Sequence, residues 1–170
     1  NLKISEFKEE LKRRIGQGIE RLEKKGLIDE DGVTTDTGKE LAALGALGSG
    51  GVASFLGHVR GDGGLIAMTL EHYPGMTKRA LETLADQAIG RWNLAGVTLV
   101  HRVGRLEPGE RIVLVATASR HRTAALEACA YLIDRLKTDA PFWKKEEFPG
   151  GHSAWVQARD SDDAAAQRWG

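Results

Sequence analysis

One proline constrains this chain more than any other residue. Pro141 has no amide hydrogen and drives Ala140 out of the helical region, so the amphipathic helix arriving from Ala124 must stop close to Lys137 and Thr138. The chain therefore turns within LKTDAPFWKKEEF, Leu136 to Phe148. Phe142 and Trp143 follow at once, and two large rings in such a loop are expected to fold back onto a core and give Lys144 and Lys145 a rigid base. With Lys137 at the helix end, three ammonium groups are expected close together. Crowded, partly desolvated lysines serve as bases, nucleophiles or anion clamps. A plainer alternative stands beside this one: Lys137 complements the negative end of a helix dipole, and Lys144 and Lys145 pair with Glu146 and Glu147 in solvent.

The start of the same helix breaks a local rule. Ser119 can cap it, yet Arg120, His121 and Arg122 crowd its first turn, where cations oppose the dipole unless an anion compensates. Violations of local preference tend to mark functional sites. Further cations sit at His58 and Arg60, where a strand Gly51 to Val59 runs out into the turn Gly61 to Gly64. An arginine at a strand end can fork onto phosphate or carboxylate.

These local clusters matter because no global field exists. Lys plus Arg number 24 and Asp plus Glu 24, which gives no net pull toward nucleic acid or an anionic membrane. No apolar run approaches a membrane span, and the polar start Asn1 to Lys12 lacks the apolar centre of a secretion signal. The expectation is a soluble, cytoplasmic protein. Cys129 is the only cysteine, which excludes an internal disulfide or a cysteine-based cluster in one chain. It lies on an apolar helical face with Ala125, Leu132, Ile133 and Leu136, so a buried, inert thiol is expected.

At 170 residues the chain suits one domain with a small appendage. Residues 1–38 read as an N-terminal helix-hairpin segment: Leu11, Ile15, Ile19 and Leu22 have helical spacing, Gly26 suits a helix end and Asp31-Gly32 a turn. This segment also looks like the second half of a winged-helix domain. A structural or interface role is preferred, with a DNA-binding appendage as the minor reading. Residues 39–170 form the main domain. Glu40 to Gly51 reads as a short helix and a glycine-rich loop, and GSGG is no P-loop because no Gly-Lys-Ser/Thr follows. Leu65 to Tyr73 is a second strand closed by Pro74-Gly75. Thr77 then caps a helix whose apolar face is Leu81, Leu84, Ala85, Ala88, Ile89 and Trp92. Val97 to Val103 and Arg111 to Ala118 make an antiparallel pair across Glu107 to Glu110. A Pro-Gly-Gly turn leads to a last strand, Ala154 to Arg159, and a terminal helix capped within Asp160 to Asp163. His152 is taken as incidental. Glu71 and His72 point to opposite strand faces, and no further ligand stands at a usual spacing, so no metal site is expected. The fold class is α+β, a mainly antiparallel sheet with packed helices.

KTDAPFWKKE resembles the signature of the molybdopterin synthase large (catalytic) subunit family, MoaE-like. GHVR (Gly57 to Arg60), LEHYPGM (Leu70 to Met76), HRVGRLEPGE (His101 to Glu110) and SRHR (Ser119 to Arg122) resemble it too, in the family's order. The resemblance implies an α/β hammerhead-like fold and a homodimer within a heterotetramer, with a small ubiquitin-like sulfur-carrier subunit at each end. It implies sulfur transfer from that subunit's C-terminal thiocarboxylate to cyclic pyranopterin monophosphate, forming the dithiolene of molybdopterin with no cofactor. It assigns His58, Val59, Arg60, His121, Arg122, Lys137, Lys144, Lys145 and Glu146 to substrate binding, with Lys137 and Lys144 catalytic. The short RGDGG departs from the longer loop common in the family. The competing class is a non-catalytic anion- or nucleic-acid-binding module.

Overall fold

The computed structural model describes residues 40–156 and 160–170. The helix and hairpin read in residues 1–38 lie outside the described residues, as does the end of the strand expected over Ala154 to Arg159.

Two antiparallel sheets share the chain. The first has strand order β1-β5-β3, from β1 (Gly51–His58), β3 (Gly96–His101) and β5 (Arg111–Ser119). The second has order β4-β2-β6-β7, from β2 (Ala67–His72), β4 (Gly104–Leu106), β6 (Phe142–Phe148) and β7 (His152–Trp155). Two long helices, α1 (Pro74–Trp92) and α2 (Arg122–Asp139), cover one face of the first sheet, and a terminal helix α3 (Asp160–Gln167) packs on α2. Leu44, in the helical residues 40–45, packs with Ala116 and Ala118 on the other face.

The alternating residues Val97 and Leu99 of β3 and Val115 of β5 meet Leu81, Leu84, Ala85 and Ala88 of α1 and Ala125, Ala128 and Leu132 of α2 in the main core. Each fully buried leucine there contributes about 2 kcal/mol. A smaller core under the second sheet holds Val59, Leu65, Leu70 and Leu106. Phe142 packs against both cores, so the residue after Pro141 joins the two sheets.

The structure corrects several readings. The segment after Pro141 is the strand β6 and not a loop. Strand alternation then turns only Phe142 inward, while Trp143 stays 48% exposed. The helix before it ends at Asp139, and Ala140 takes an extended conformation (φ −87°, ψ 126°), as a residue preceding proline should. Helix α1 starts at Pro74, with Tyr73 at its N-cap position. Pro74 opens the helix because a first-turn position needs no amide donor, which leaves Thr77 fully buried inside the helix rather than capping it. Between the expected pair β3 and β5 the chain crosses to the other sheet as β4, entering through Gly104 at φ 87°. His152 opens β7, opposite Phe148.

Candidate functional site

At the end of β1, His58 is exposed and Val59 is buried in the smaller core. The Val59 amide donates to the Glu110 carbonyl (2.9 Å), and its own carbonyl accepts from the Gly109 amide (2.8 Å). Arg60 projects outward and meets Asp62 at 3.6 Å within the short loop. With both side chains more than 70% exposed, that pair fixes little. The firm support comes from Arg102, which is 8% exposed. Its guanidinium donates to the Arg111 carbonyl (3.0 Å) and to Glu110 Oε1 (3.1 Å), while Glu110 Oε2 accepts from the Glu107 amide (2.6 Å). The Glu107 amide and the Arg102 guanidinium hold the Glu110 carboxyl below the usual range. This clamp stiffens the loop against which Val59 and Arg60 stand.

The second cation group is at the opposite end of β1. Gly51 pairs with Ser119. A Cβ on Gly50 would fall on the Arg120 carbonyl, and one on Gly51 would lie 3.6 Å from Arg122 Cα. Glycine is what allows the two backbones to touch. Ser119 is the last residue of β5 and caps nothing strongly: its hydroxyl accepts from the His121 amide at 3.5 Å, and His121, extended at φ −121°, holds the N-cap position. Arg120, His121 and Arg122 are all exposed.

Helix α2 then runs back along β5. Thr117 Oγ1 donates to the Ala125 carbonyl (2.7 Å), and Cys129 Sγ lies 4.0 Å from the Val115 carbonyl. Lys137 is thereby carried to the Arg111–His58 end of the first sheet, roughly 22 Å from Arg122 at about 1.5 Å rise per residue. Its ammonium donates to Asp162 Oδ1 of α3 at 3.1 Å.

On β6 the neighbouring lysines part company. Lys144 lies opposite Leu70, on the face that carries Phe142, Glu146 and His72. Lys145 lies opposite Thr69 on the other face, with Trp143 and Glu147, and its ammonium stands 5.9 Å over the Trp155 ring. Glu147 accepts from Thr69 Oγ1 (3.2 Å) and Arg105 Nε (3.0 Å). Lys144 and Lys145 therefore stand on opposite faces of the second sheet.

Beside Lys144 is a feature that motif spacing did not single out. The His101 ring stacks on Phe142 at 4.0 Å and 19°, with the His72 ring 6.2 Å away on the same phenylalanine. His101 Nδ1 lies 2.8 Å from the Arg102 carbonyl, a contact in which the nitrogen donates. Burial pushes the imidazole pKa down to about 4; the bond to Arg102 opposes this, and the charges of Lys144 and His72 add to it. The signal was present in the alternation Val97, Leu99, His101, which puts the histidine on the core face.

The cations thus form two sets within one protomer. Arg60, Lys137 and Lys144 lie toward one end of the first sheet, with His58, and His121 and Arg122 lie toward the other. Among the described residues no three His, Cys, Asp or Glu side chains gather as metal ligands. Among the same residues, no helix is long and apolar enough to cross a membrane.

Comparison with known proteins gives a consistent result. The chain matches the family described as MoaE protein over residues 31–139. It is 54% identical over 139 residues to the molybdopterin synthase catalytic subunit of Pseudomonas aeruginosa, covering 79% of this chain and 92% of that protein. It is similar in structure to the molybdopterin biosynthesis MoaE protein from Burkholderia ambifaria, with TM-score 0.67 and 51% identity over 78% of this chain and 90% of that one. It is also similar to the molybdopterin synthase of Staphylococcus aureus, with TM-score 0.60 and 34% identity over 64% and 81% of the two chains.

Proposed function

Because the chain belongs to the MoaE protein family, we propose that it is the catalytic subunit of molybdopterin synthase. It acts as a sulfurtransferase with a small ubiquitin-like partner. The partner's C-terminal thiocarboxylate delivers sulfur to cyclic pyranopterin monophosphate, and two such transfers, through a hemisulfurated intermediate, form the dithiolene. The observation that carries this reading is the likeness to named catalytic subunits over most of both chains. The chemistry of this chain agrees with it: Cys129 is 7% exposed and burial lifts its thiol to about 11, so the sulfur comes from elsewhere.

The roles cut across the two cation sets. Arg60, His121 and Arg122 hold phosphate and pterin oxygens, with His58 and the Val59 backbone beside them. Lys137 and Lys144 act at the reacting carbons, moving protons or stabilising the oxyanion as sulfur adds. Glu146 shares the Lys144 face of β6 and orients that side. Lys145 lies on the other face, and its place in substrate binding rests on the likeness to the family. A separation of roughly 22 Å along α2 is too wide for one small substrate, so a complete pocket takes its His121–Arg122 half from a second copy in the homodimer.

The test is reconstitution with a thiocarboxylated small subunit and the cyclic pterin precursor, reading the dithiolene product. Lys137→Ala should lower turnover steeply and Arg122→Ala should chiefly weaken substrate binding, so that at a low precursor concentration each alone forms little product. Mixed and reassembled together, they should recover about a quarter of wild-type activity, since half the dimers are mixed and each of those has one intact site. Near-normal turnover by Lys137→Ala would overturn the catalytic assignment, and no recovery on mixing would overturn the shared pocket.

A further inference from the structure

The C-terminal helix is held down by more contacts than an eight-residue appendage needs. The Trp169 indole donates to Asp134 Oδ2 (2.8 Å), and Arg168 pairs with the same carboxylate (2.7 Å). Arg91 donates to the Trp169 carbonyl (2.6 Å). The Trp169 ring meets Trp92 and Tyr131 edge-on, at 5.8 and 5.7 Å. The Arg91 guanidinium lies over all three rings, 4.9 Å from Trp92 and within 6 Å of the others. Anchored at that end, α3 presents Asp162 to Lys137 at 3.1 Å, with the carboxylate only 27% exposed.

The other acids around Lys137 have different partners. On α2, Asp134 is taken by Arg168 and Trp169, and Asp139 by Arg135 at 2.7 Å. Asp160 and Asp163 share the first turn of α3 with Asp162, where their charge suits the helix dipole. The Lys137 ammonium meets Asp162 instead. A lysine side chain has four rotatable bonds, and a free one visits many positions. A carboxylate on a pinned helix narrows that range.

The geometry points to Asp162 as the positioning residue for Lys137, with the Trp169 anchorage as the device that keeps it in place. This rests on the reading of Lys137 as catalytic. An exposed ion pair adds little stability. Its value lies in where it holds the ammonium, because displacement of a reacting group by about 1 Å lowers a rate by up to about a hundredfold.

Asp162→Asn and Asp162→Glu are compared with wild type and Lys137→Ala in the full chain, assembled with the thiocarboxylated small subunit and assayed on cyclic pyranopterin monophosphate. The expected result for Asp162→Asn is a fall in kcat of about tenfold, with KM, partner affinity and Tm nearly unchanged. Asp162→Glu, which keeps the anion, should recover most of that loss. A purely structural role would lower Tm or partner affinity and leave kcat alone, which would overturn the proposal; so would a wild-type kcat for Asp162→Asn. If Lys137→Ala is inactive while Asp162→Asn is normal, only this inference fails. If Lys137→Ala is itself normal, the assignment of Lys137 fails.

Discussion

His101→Phe tests the stack on the face of β6 that carries Lys144, and its magnitude follows from the burial of the imidazole. The folded pKa is about 4 against an ordinary 6.5. A histidine depressed in this way leaves the folded state uncharged, while the unfolded chain takes up its proton first as acid is added. Stability from this group is therefore intact above about pH 6.5 and is lost as pH falls toward about 4. Integrating between those values gives a loss of about 2 kcal/mol from pH 7.5 to pH 5, and about 3 by pH 4. Phenylalanine keeps a ring against Phe142 but cannot titrate, and it forfeits the bond to the Arg102 carbonyl, costing about 1 kcal/mol at pH 7.5. Urea unfolding at pH 7.5, 6, 5 and 4.5 should show the variant less stable at the first pH and equal or superior at the last two. Glu110, whose carboxyl is held low, also weakens the fold in acid, but it is present in both chains and cancels in the difference. A gap between wild type and variant that stays constant across the series would refute the argument that His101 is held neutral by burial.

Gly50→Ala places a methyl group on the Arg120 carbonyl, a backbone atom that cannot swing aside. A loss of about 1–3 kcal/mol in thermal unfolding, with a raised KM from displaced His121 and Arg122, is the expected outcome; an unchanged Tm and KM would show that the two segments do not touch. Cys129, with its thiol raised to about 11, should react with iodoacetamide at pH 8 about a hundredfold more slowly in the native chain than in urea. Equal rates would place the thiol in solvent.

Local chemistry made much of this protein legible from its residues alone. Pro141 ended α2 because the steric demand of proline acts on its immediate neighbour. The 3.6-residue spacing of Leu81, Leu84, Ala85 and Ala88 and the two-residue spacing of Val97 and Leu99 reported which faces would be buried. Order along the chain also yielded the family, through motifs from Gly57 to Glu146. The rest depended on pairing between distant segments. Whether PFWKKEE is a loop or a strand is decided by β2 and β7 on either side of it, and once it is a strand, Lys144 and Lys145 must part. The distance from Arg122 to Lys137 follows from α2 running straight along β5, which a list of cations cannot convey. The contact of Asp162 with Lys137 requires α3 to pack on α2, where Ala166 is buried and Trp169, Arg168 and Arg91 add further contacts. Covalent geometry is local and can be read in order; which charges meet is settled by burial across the whole fold.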